Sequence, residues 1–138
     1  AYASVYGHLK AAVEELAAAL EARGQKVSVF DLARDDMAEA VEDAFRYDRL
    51  VLASITYQGE IFPFMSTFIH TLAEHAYQNR TVALVEAGSW APAAAKVMTK
   101  ELEGMKDITL AQSKVTVLGS LNDASRAQIE ALADELSK

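Results

Sequence analysis

The sequence predicts an α/β protein in which a parallel sheet lies between two layers of helices. Strand-like and helix-like segments alternate along all 138 residues. Two of the strand-like segments, Leu50–Ala53 and Thr81–Val85, are continuously apolar, which is typical of strands buried on both faces. Such alternation produces a three-layer α/β/α sandwich with right-handed crossovers. We therefore expect residues 1–138 to form a single domain with five strands and five helices.

The first strand and the first helix are indicated by a change of period near the N-terminus. Ala1–Ser4 is a short apolar strand, and Ser4–His8 is a polar turn that contains a glycine. Apolar residues then recur at helical spacing, at Leu9, Ala12, Val13, Leu16, Ala17 and Leu20. Because the chain opens inside this strand, we interpret it as a fragment of a longer protein. A truncated central strand leaves backbone groups of its neighbours without partners, so we expect distortion there, or a displaced segment or another chain in the gap.

The second strand and the second helix follow a helix stop at Gly24. Val27–Leu32 is rich in β-branched and aromatic residues and predicts a strand. Met37–Phe45 has helical spacing, and Asp35 or Asp36 is placed to cap it.

The second half of the chain continues the alternation. Pro63–Tyr77 and Ala91–Met105 are predicted as the third and fourth helices. Lys114–Leu118 is predicted as the last strand, and a final helix begins after a cap at Asn122 or Asp123.

The composition excludes several classes of function. The chain carries 13 basic and 20 acidic residues and a net charge of −7, which disfavours nucleic acid as a partner and is compatible with a basic protein partner. It has no cysteine, and therefore no disulfide or thiolate metal site. No apolar run approaches the roughly 20 residues of a membrane span. We expect a cytoplasmic protein without membrane contact, and homo-oligomer formation stays open.

Three of the segments that follow strands carry the residues of interest, because ligands of such sheets bind outside the carboxyl ends of the strands. Ser4–His8 leads into a helix N-terminus, which suits a phosphate. Ser54–Ile61 offers hydroxyls, an amide, an aromatic ring and a glycine, and Glu86–Pro92 holds the only tryptophan. Each segment alone is also compatible with an ordinary turn. Together they predict a planar aromatic ligand with a phosphate tail.

These segments carry a family resemblance. Ser4–His8 resembles the phosphate loop of flavodoxins, and Ser54–Pro63 resembles their second flavin loop. With the Gly-Ser-Trp-Ala-Pro motif at Gly88–Pro92, the chain most resembles the flavodoxin-like domain of A-type flavoproteins, the flavodiiron proteins, along its whole length. The resemblance implies non-covalent FMN, electron transfer, and a five-stranded parallel sheet of order 2-1-3-4-5 whose first strand is truncated here.

The resemblance also implies roles for individual residues. The phosphate would be held by Ser4, Val5, Tyr6, Gly7, His8 and Leu9. One side of the isoalloxazine would be flanked by Ser54, Thr56, Tyr57, Gln58 and Gly59, and the other by Gly88, Ser89 and Trp90. Leu9 stands where the family usually has Thr or Ser, so a hydroxyl donor to the phosphate is lost. The acidic groups of Glu60 and Glu86 are expected to disfavour the negative charge of reduced flavin.

The resemblance places the electron acceptor outside this chain. It would be a diiron domain of the full-length protein or a separate redox partner, so the domain is not expected to be catalytic alone. Three other interpretations remain: a free-standing flavodoxin, a flavodoxin-like module that has lost flavin and serves in protein interaction, and, least favoured, a receiver domain. His70, Glu74 and His75 lie on one helix and are interpreted as surface residues, since a spacing of five suits one metal poorly.

Overall fold

The structure of the chain is a computed structural model. It describes residues 2–3, 7–32, 35–47, 49–57, 60–61, 63–75, 77–78, 80–88, 94–103, 105, 108–118 and 123–137.

Strands and helices alternate through these residues. The strands are β1 (Tyr2–Ala3), β2 (Arg49–Tyr57), β3 (Glu60–Ile61), β4 (Arg80–Gly88), β5 (Ile108–Leu110) and β6 (Val115–Leu118). The helices are α1 (Gly7–Ala22), α2 (Met37–Arg46), α3 (Pro63–Glu74), α4 (Ala94–Leu102) and α5 (Asp123–Leu136).

The body of the sheet is parallel. β1 pairs with β2, and β2 pairs with β4 from Arg49↔Thr81 to Ile55↔Ala87. β5 and β6 both pair with β4, one after the other along its length. The short β3 pairs antiparallel with the end of β2. Thus β1, β2, β4 and β6 coincide with the predicted first, third, fourth and fifth strands.

Helices cover both faces of the sheet. Leu52 and Leu84 belong to a core cluster shared with α2, α3 and α4, whereas Ala53 and Val85 belong to a second cluster shared with α1 and α5. Successive residues of a strand point to opposite faces, so a continuously apolar strand fills both clusters. This is the reason that the apolar runs predicted a sheet between two helical layers.

The start of α2 resolves the choice between its two predicted caps. The Asp36 carboxylate accepts a hydrogen bond from the Ala38 N–H at 2.9 Å, so Asp36 is the N-cap. Asp35 instead accepts from the Asp31 N–H at 2.7 Å and holds the preceding turn. Both α3 and α4 end earlier than predicted. α3 ends at Glu74 and not at Tyr77, and α4 ends at Leu102 and not at Met105.

The predicted second strand, Val27–Leu32, does not form a strand. The structure assigns none to residues 25–30, and Asp31 makes a one-residue bridge. Within the described residues, the expected neighbour β1 pairs with β2. A cleft of about 280 Å³ lies between this segment and β2. Its apolar lining includes Val13, Leu16, Ala17, Leu20, Val27, Phe30, Leu50 and Val51.

The strand beyond β4 is broken into two pieces. Between β5 and β6, the Ala111 N–H donates to the Val82 carbonyl at 2.8 Å. The Gln112 and Ser113 N–H groups donate to the Glu135 carboxylate of α5 at 2.7 and 2.8 Å. Two backbone N–H groups at the break are therefore bound by a side chain of α5 and not by a neighbouring strand. Sequence patterning missed β5 because it has three residues, two of them exposed.

The turn after α1 is joined to α5 by ion pairs on the protein surface. The Arg23 guanidinium lies 2.7 Å from Glu130 Oε2 and 2.8 Å from Asp134 Oδ1. The hydrogen bond to Glu130 and, to a smaller extent, the one to Asp134 raise the pKa of Arg23 above its ordinary value. These carboxylates are largely exposed, so the pairs contribute little to stability.

Candidate cofactor site

One row of residues aligns the carboxyl ends of the parallel strands. Ala3 of β1 lies opposite Ser54 of β2, Ser54 lies opposite Glu86 of β4, and Glu86 lies opposite Thr116 of β6. All three segments singled out from the sequence leave the sheet at or just beyond this row. The sheet therefore brings them to one edge, which is where α/β proteins bind their ligands.

The first segment leads from β1 directly into α1. The helix begins at Gly7, so the backbone of Gly7 and His8 forms its first turn, and no acidic residue occurs in that turn. Free N–H groups and the helix dipole make such a terminus favourable for an anion. Ser4, Val5 and Tyr6, which lie between β1 and α1, are outside the described residues.

Leu9 occupies a core position. Its side chain is 1% exposed and belongs to the cluster between α1, α5 and the sheet. An aliphatic side chain here stabilises the fold by burial and offers no hydroxyl to a ligand. Any interaction of this residue with a phosphate would have to come from its backbone.

The second segment is more regular than the sequence suggested. Ser54–Ile61 was expected to be a loop, but β2 continues to Tyr57 and β3 returns over Glu60–Ile61. Cross-strand pairing of Thr56 with Ile61 and of Tyr57 with Glu60 explains the difference, because the backbone hydrogen bonds of a hairpin extend the strand beyond its buried part. Ser54 is fully buried within β2. Gln58 and Gly59 lie outside the described residues.

The third segment is also partly strand. β4 runs to Gly88, three positions beyond the predicted end at Val85, because it remains paired with β6 through Gly88↔Leu118. Ser89 and Trp90 lie outside the described residues, and α4 begins at Ala94.

Glu86 has a structural role that the sequence did not reveal. Its side chain is 4% exposed, and its Oε2 lies 3.2 Å from Lys114 Nζ. Thr116 Oγ1 donates to the same oxygen at 3.0 Å, and the Ala95 N–H of α4 donates to Oε1 at 3.3 Å. The charge of Glu86 is thus compensated by a cation and a helix N-terminus, which weakens its expected effect on a nearby flavin. The i, i+28 spacing of Glu86 and Lys114 carries no local pattern that would predict this pair.

His70, Glu74 and His75, which the sequence suggested are surface residues, are exposed on α3 and in the turn that follows it. In the part of the chain that the structure describes, no group of three His, Cys, Asp or Glu side chains could hold a metal ion. His70 lies 3.7 Å from Glu101 of the adjacent α4 instead. None of the helices described above has the length and apolar character that a bilayer span requires.

Comparison with known proteins identifies the family. The profile of the flavodoxin domain family matches residues 1–129. The chain belongs to this family. A search of curated proteins finds no match.

Solved structures share the fold at low sequence identity. Rubredoxin oxygen:oxidoreductase from the anaerobe Desulfovibrio gigas superposes with a TM-score of 0.91 at 17% identity, over 99% of this chain and 34% of that one. A flavodoxin from the domain Archaea gives 0.85 at 18% identity, over 99% and 92%. The flavodiiron protein from Giardia intestinalis gives 0.86 at 14% identity, over 97% and 34%. This flavodoxin domain therefore spans about a third of the oxidoreductase and flavodiiron structures, and most of the flavodoxin.

Proposed function

We propose that this flavodoxin domain binds FMN non-covalently at the carboxyl edge of its sheet and transfers electrons. The observation that carries the proposal is the row Ala3, Ser54, Glu86, which sends three segments with flavin-loop motifs to one edge. Membership of the flavodoxin domain family supports it independently. The proposal takes the domain to be part of a longer protein.

The phosphate half of the site is built on α1. Residues 4–8 would surround the phosphate, with Gly7 and His8 supplying backbone N–H groups from the first turn of the helix. Leu9 would contribute its N–H alone, since its side chain is in the core. The lost hydroxyl corresponds to a hydrogen bond with a charged group, worth roughly 1.5–3 kcal/mol.

The ring half of the site is built on β2 and β4. Thr56 and Tyr57 end β2, and Gly88 ends β4, so segments carrying Gln58–Gly59 and Ser89–Trp90 leave adjacent strands. Aromatic side chains at such positions would stack on the isoalloxazine and exclude water. A glycine in each segment would let the backbone approach a flat ring closely.

The bound flavin would supply the redox chemistry, and the protein would tune and orient it. The chain's part is to hold the phosphate, cover the ring faces and leave one ring edge accessible to a donor or acceptor. We propose a diiron domain of the same polypeptide as acceptor, since the chain spans a third of the flavodiiron structures it matches. A separate redox protein is the alternative, supported by the flavodoxin that it matches over 92% of its length.

Titration of the purified chain with FMN, followed by quenching of flavin fluorescence, tests the proposal. Riboflavin, which has the same ring and lacks the phosphate, is the matched control ligand. We expect saturable binding of FMN with micromolar or tighter Kd, and riboflavin weaker by about tenfold or more, as expected for loss of hydrogen bonds to a charged group.

The two halves of the site can fail separately. Equal affinity for both ligands would contradict the phosphate half. Absence of quenching by either ligand would contradict flavin binding and favour a module that serves in protein interaction.

Substituting Trp90 by Ala should lower the affinity for both ligands equally, because the indole is proposed to contact the ring and not the phosphate.

A further inference from the structure

The buried carboxylate of Glu86 connects three elements at the carboxyl edge of the sheet. It lies on β4, and it accepts hydrogen bonds from the Ala95 N–H of α4 and from Thr116 of β6. Lys114, just before β6, supplies a cation at 3.2 Å. A buried charge is costly unless it is paired and hydrogen-bonded, and here both oxygens have partners.

One of these contacts joins the two elements that flank the third segment. Glu86 lies two positions before the end of β4 at Gly88, and Ala95 lies in the first turn of α4. Their hydrogen bond joins positions nine apart, one in the strand before residues 89–93 and one in the helix after them. One carboxylate thus links the strand that precedes this segment to the helix that follows it.

The two oxygens of the carboxylate bind different partners. Glu86 Oε1 receives a backbone N–H at the N-terminal end of α4, where the helix dipole favours negative charge. Oε2 is held by Thr116 and Lys114. Neutralising the side chain would weaken the contact with the helix and leave the Lys114 ammonium without its counter-ion.

We propose that Glu86 is a positioning residue for the segment Gly88–Trp90, acting through α4 and β6 and not by contact with the cofactor. This inference rests on the proposed flavin function, but it makes a statement about the ligand-free chain as well. Trp90 is the only tryptophan, so its fluorescence reports on this segment without any flavin present.

The test compares Glu86→Gln with Glu101→Gln. Glu101 is a matched control because its carboxylate is also largely buried on the same side of the sheet. It accepts a hydrogen bond from Ser66 Oγ at 2.9 Å. Neither Ser66 nor His70, its partners given above, lies at an end of the segment. Acrylamide quenching of Trp90 is measured in the free chain, and the Kd for FMN is measured for both variants. Circular dichroism checks that each is folded.

Glu86→Gln is expected to make Trp90 more accessible to acrylamide. It is also expected to raise the Kd for FMN about tenfold, because the neutral amide binds the N-terminus of α4 and Lys114 more weakly and leaves the segment less well positioned. Glu101→Gln should change neither quantity. If Glu86→Gln does not fold, Thr116→Val removes one partner of the same carboxylate and should shift both quantities in the same direction by less.

Unchanged Trp90 quenching in folded Glu86→Gln would overturn the inference, and so would an equal change in Glu101→Gln. A chain that binds no FMN would instead contradict the proposed function. The quenching comparison would still decide whether Glu86 positions the segment.

Discussion

The two ends of the sheet's central strands differ in how completely their surroundings are filled. At the carboxyl end, Glu86 is buried and its oxygens have partners from α4, β6 and Lys114. Toward the other end, a cleft of about 280 Å³ separates β2 from the segment that precedes α2. The side chains of Val27 and Val51 beside it are only partly buried.

This difference indicates how firmly each half of the site is held by the strand that it follows. The segment carrying Trp90 is attached to β4, whose pairing with β2 and β6 is continuous. The phosphate segment is attached to β1, whose pairing within the described residues is with β2 on one side. We therefore expect the ring half of the site to be the more strongly preorganised half.

The sharpest test of this comparison substitutes one valine on each side. Val85 is 1% exposed on β4, whereas Val51 borders the cleft on β2. Val85→Ala should lower the free energy of unfolding by about 2–3 kcal/mol, because it removes buried methyl groups and leaves a cavity. Val51→Ala should cost less than about 1 kcal/mol, since its surroundings are already open. Urea unfolding followed by circular dichroism measures both, and equal losses would show that the cleft is closed in solution.

A smaller effect is expected from filling the cleft. Ala17 of α1 lines it, and Leu is nearly as good a helix former as Ala. Ala17→Leu should raise the free energy of unfolding by roughly 0.5–2 kcal/mol, the usual gain from filling a cavity. Ala18→Leu, one position along on the exposed side of the helix, is the control and should give no gain. A loss of stability in Ala17→Leu would mean that the space is too narrow for the added side chain.

The smallest effect is expected at the ion pairs between the turn after α1 and α5. Arg23→Gln removes both contacts, with Glu130 and Asp134, and should lower Tm slightly at low salt. The difference should disappear in about 1 M salt, where screening shortens the range of surface charges to about 3 Å. Lys10→Gln, which removes one exposed pair at 4.0 Å, should change Tm less. Thermal unfolding at two salt concentrations checks this, and a salt-independent loss would point to packing by the Arg23 side chain.

Much of the fold was predictable because its signals are local. The apolar runs of β2 and β4 depend on neighbouring residues and were placed from the sequence, which also narrowed the cap of α2 to Asp35 or Asp36. The absence of a strand at Val27–Leu32 was not predictable. Its β-branched residues favour a strand, but a strand also needs a partner, and pairing is a property of distant segments.

The candidate site was predictable in its location and less so in its supporting contacts. Strand alternation and turn motifs placed three segments at one edge of the sheet. The hairpin from Tyr57 to Glu60 and the contacts of Glu86 depend on registers and on side chains that are distant along the chain. Glu86 was singled out for its charge, whereas the structure shows a carboxylate that joins secondary-structure elements.

The interruption between β5 and β6 has a consequence for solubility. On this side of β4, within the described residues, the sheet presents strands of only three and four residues. At the break, the N–H groups of Gln112 and Ser113 are already bound by Glu135, so they cannot donate to an incoming strand. Exposed edges that are long and regular recruit other chains into extended sheets, and short or interrupted edges resist this. We therefore expect the carboxylate of α5 to hinder edge-to-edge pairing at this break.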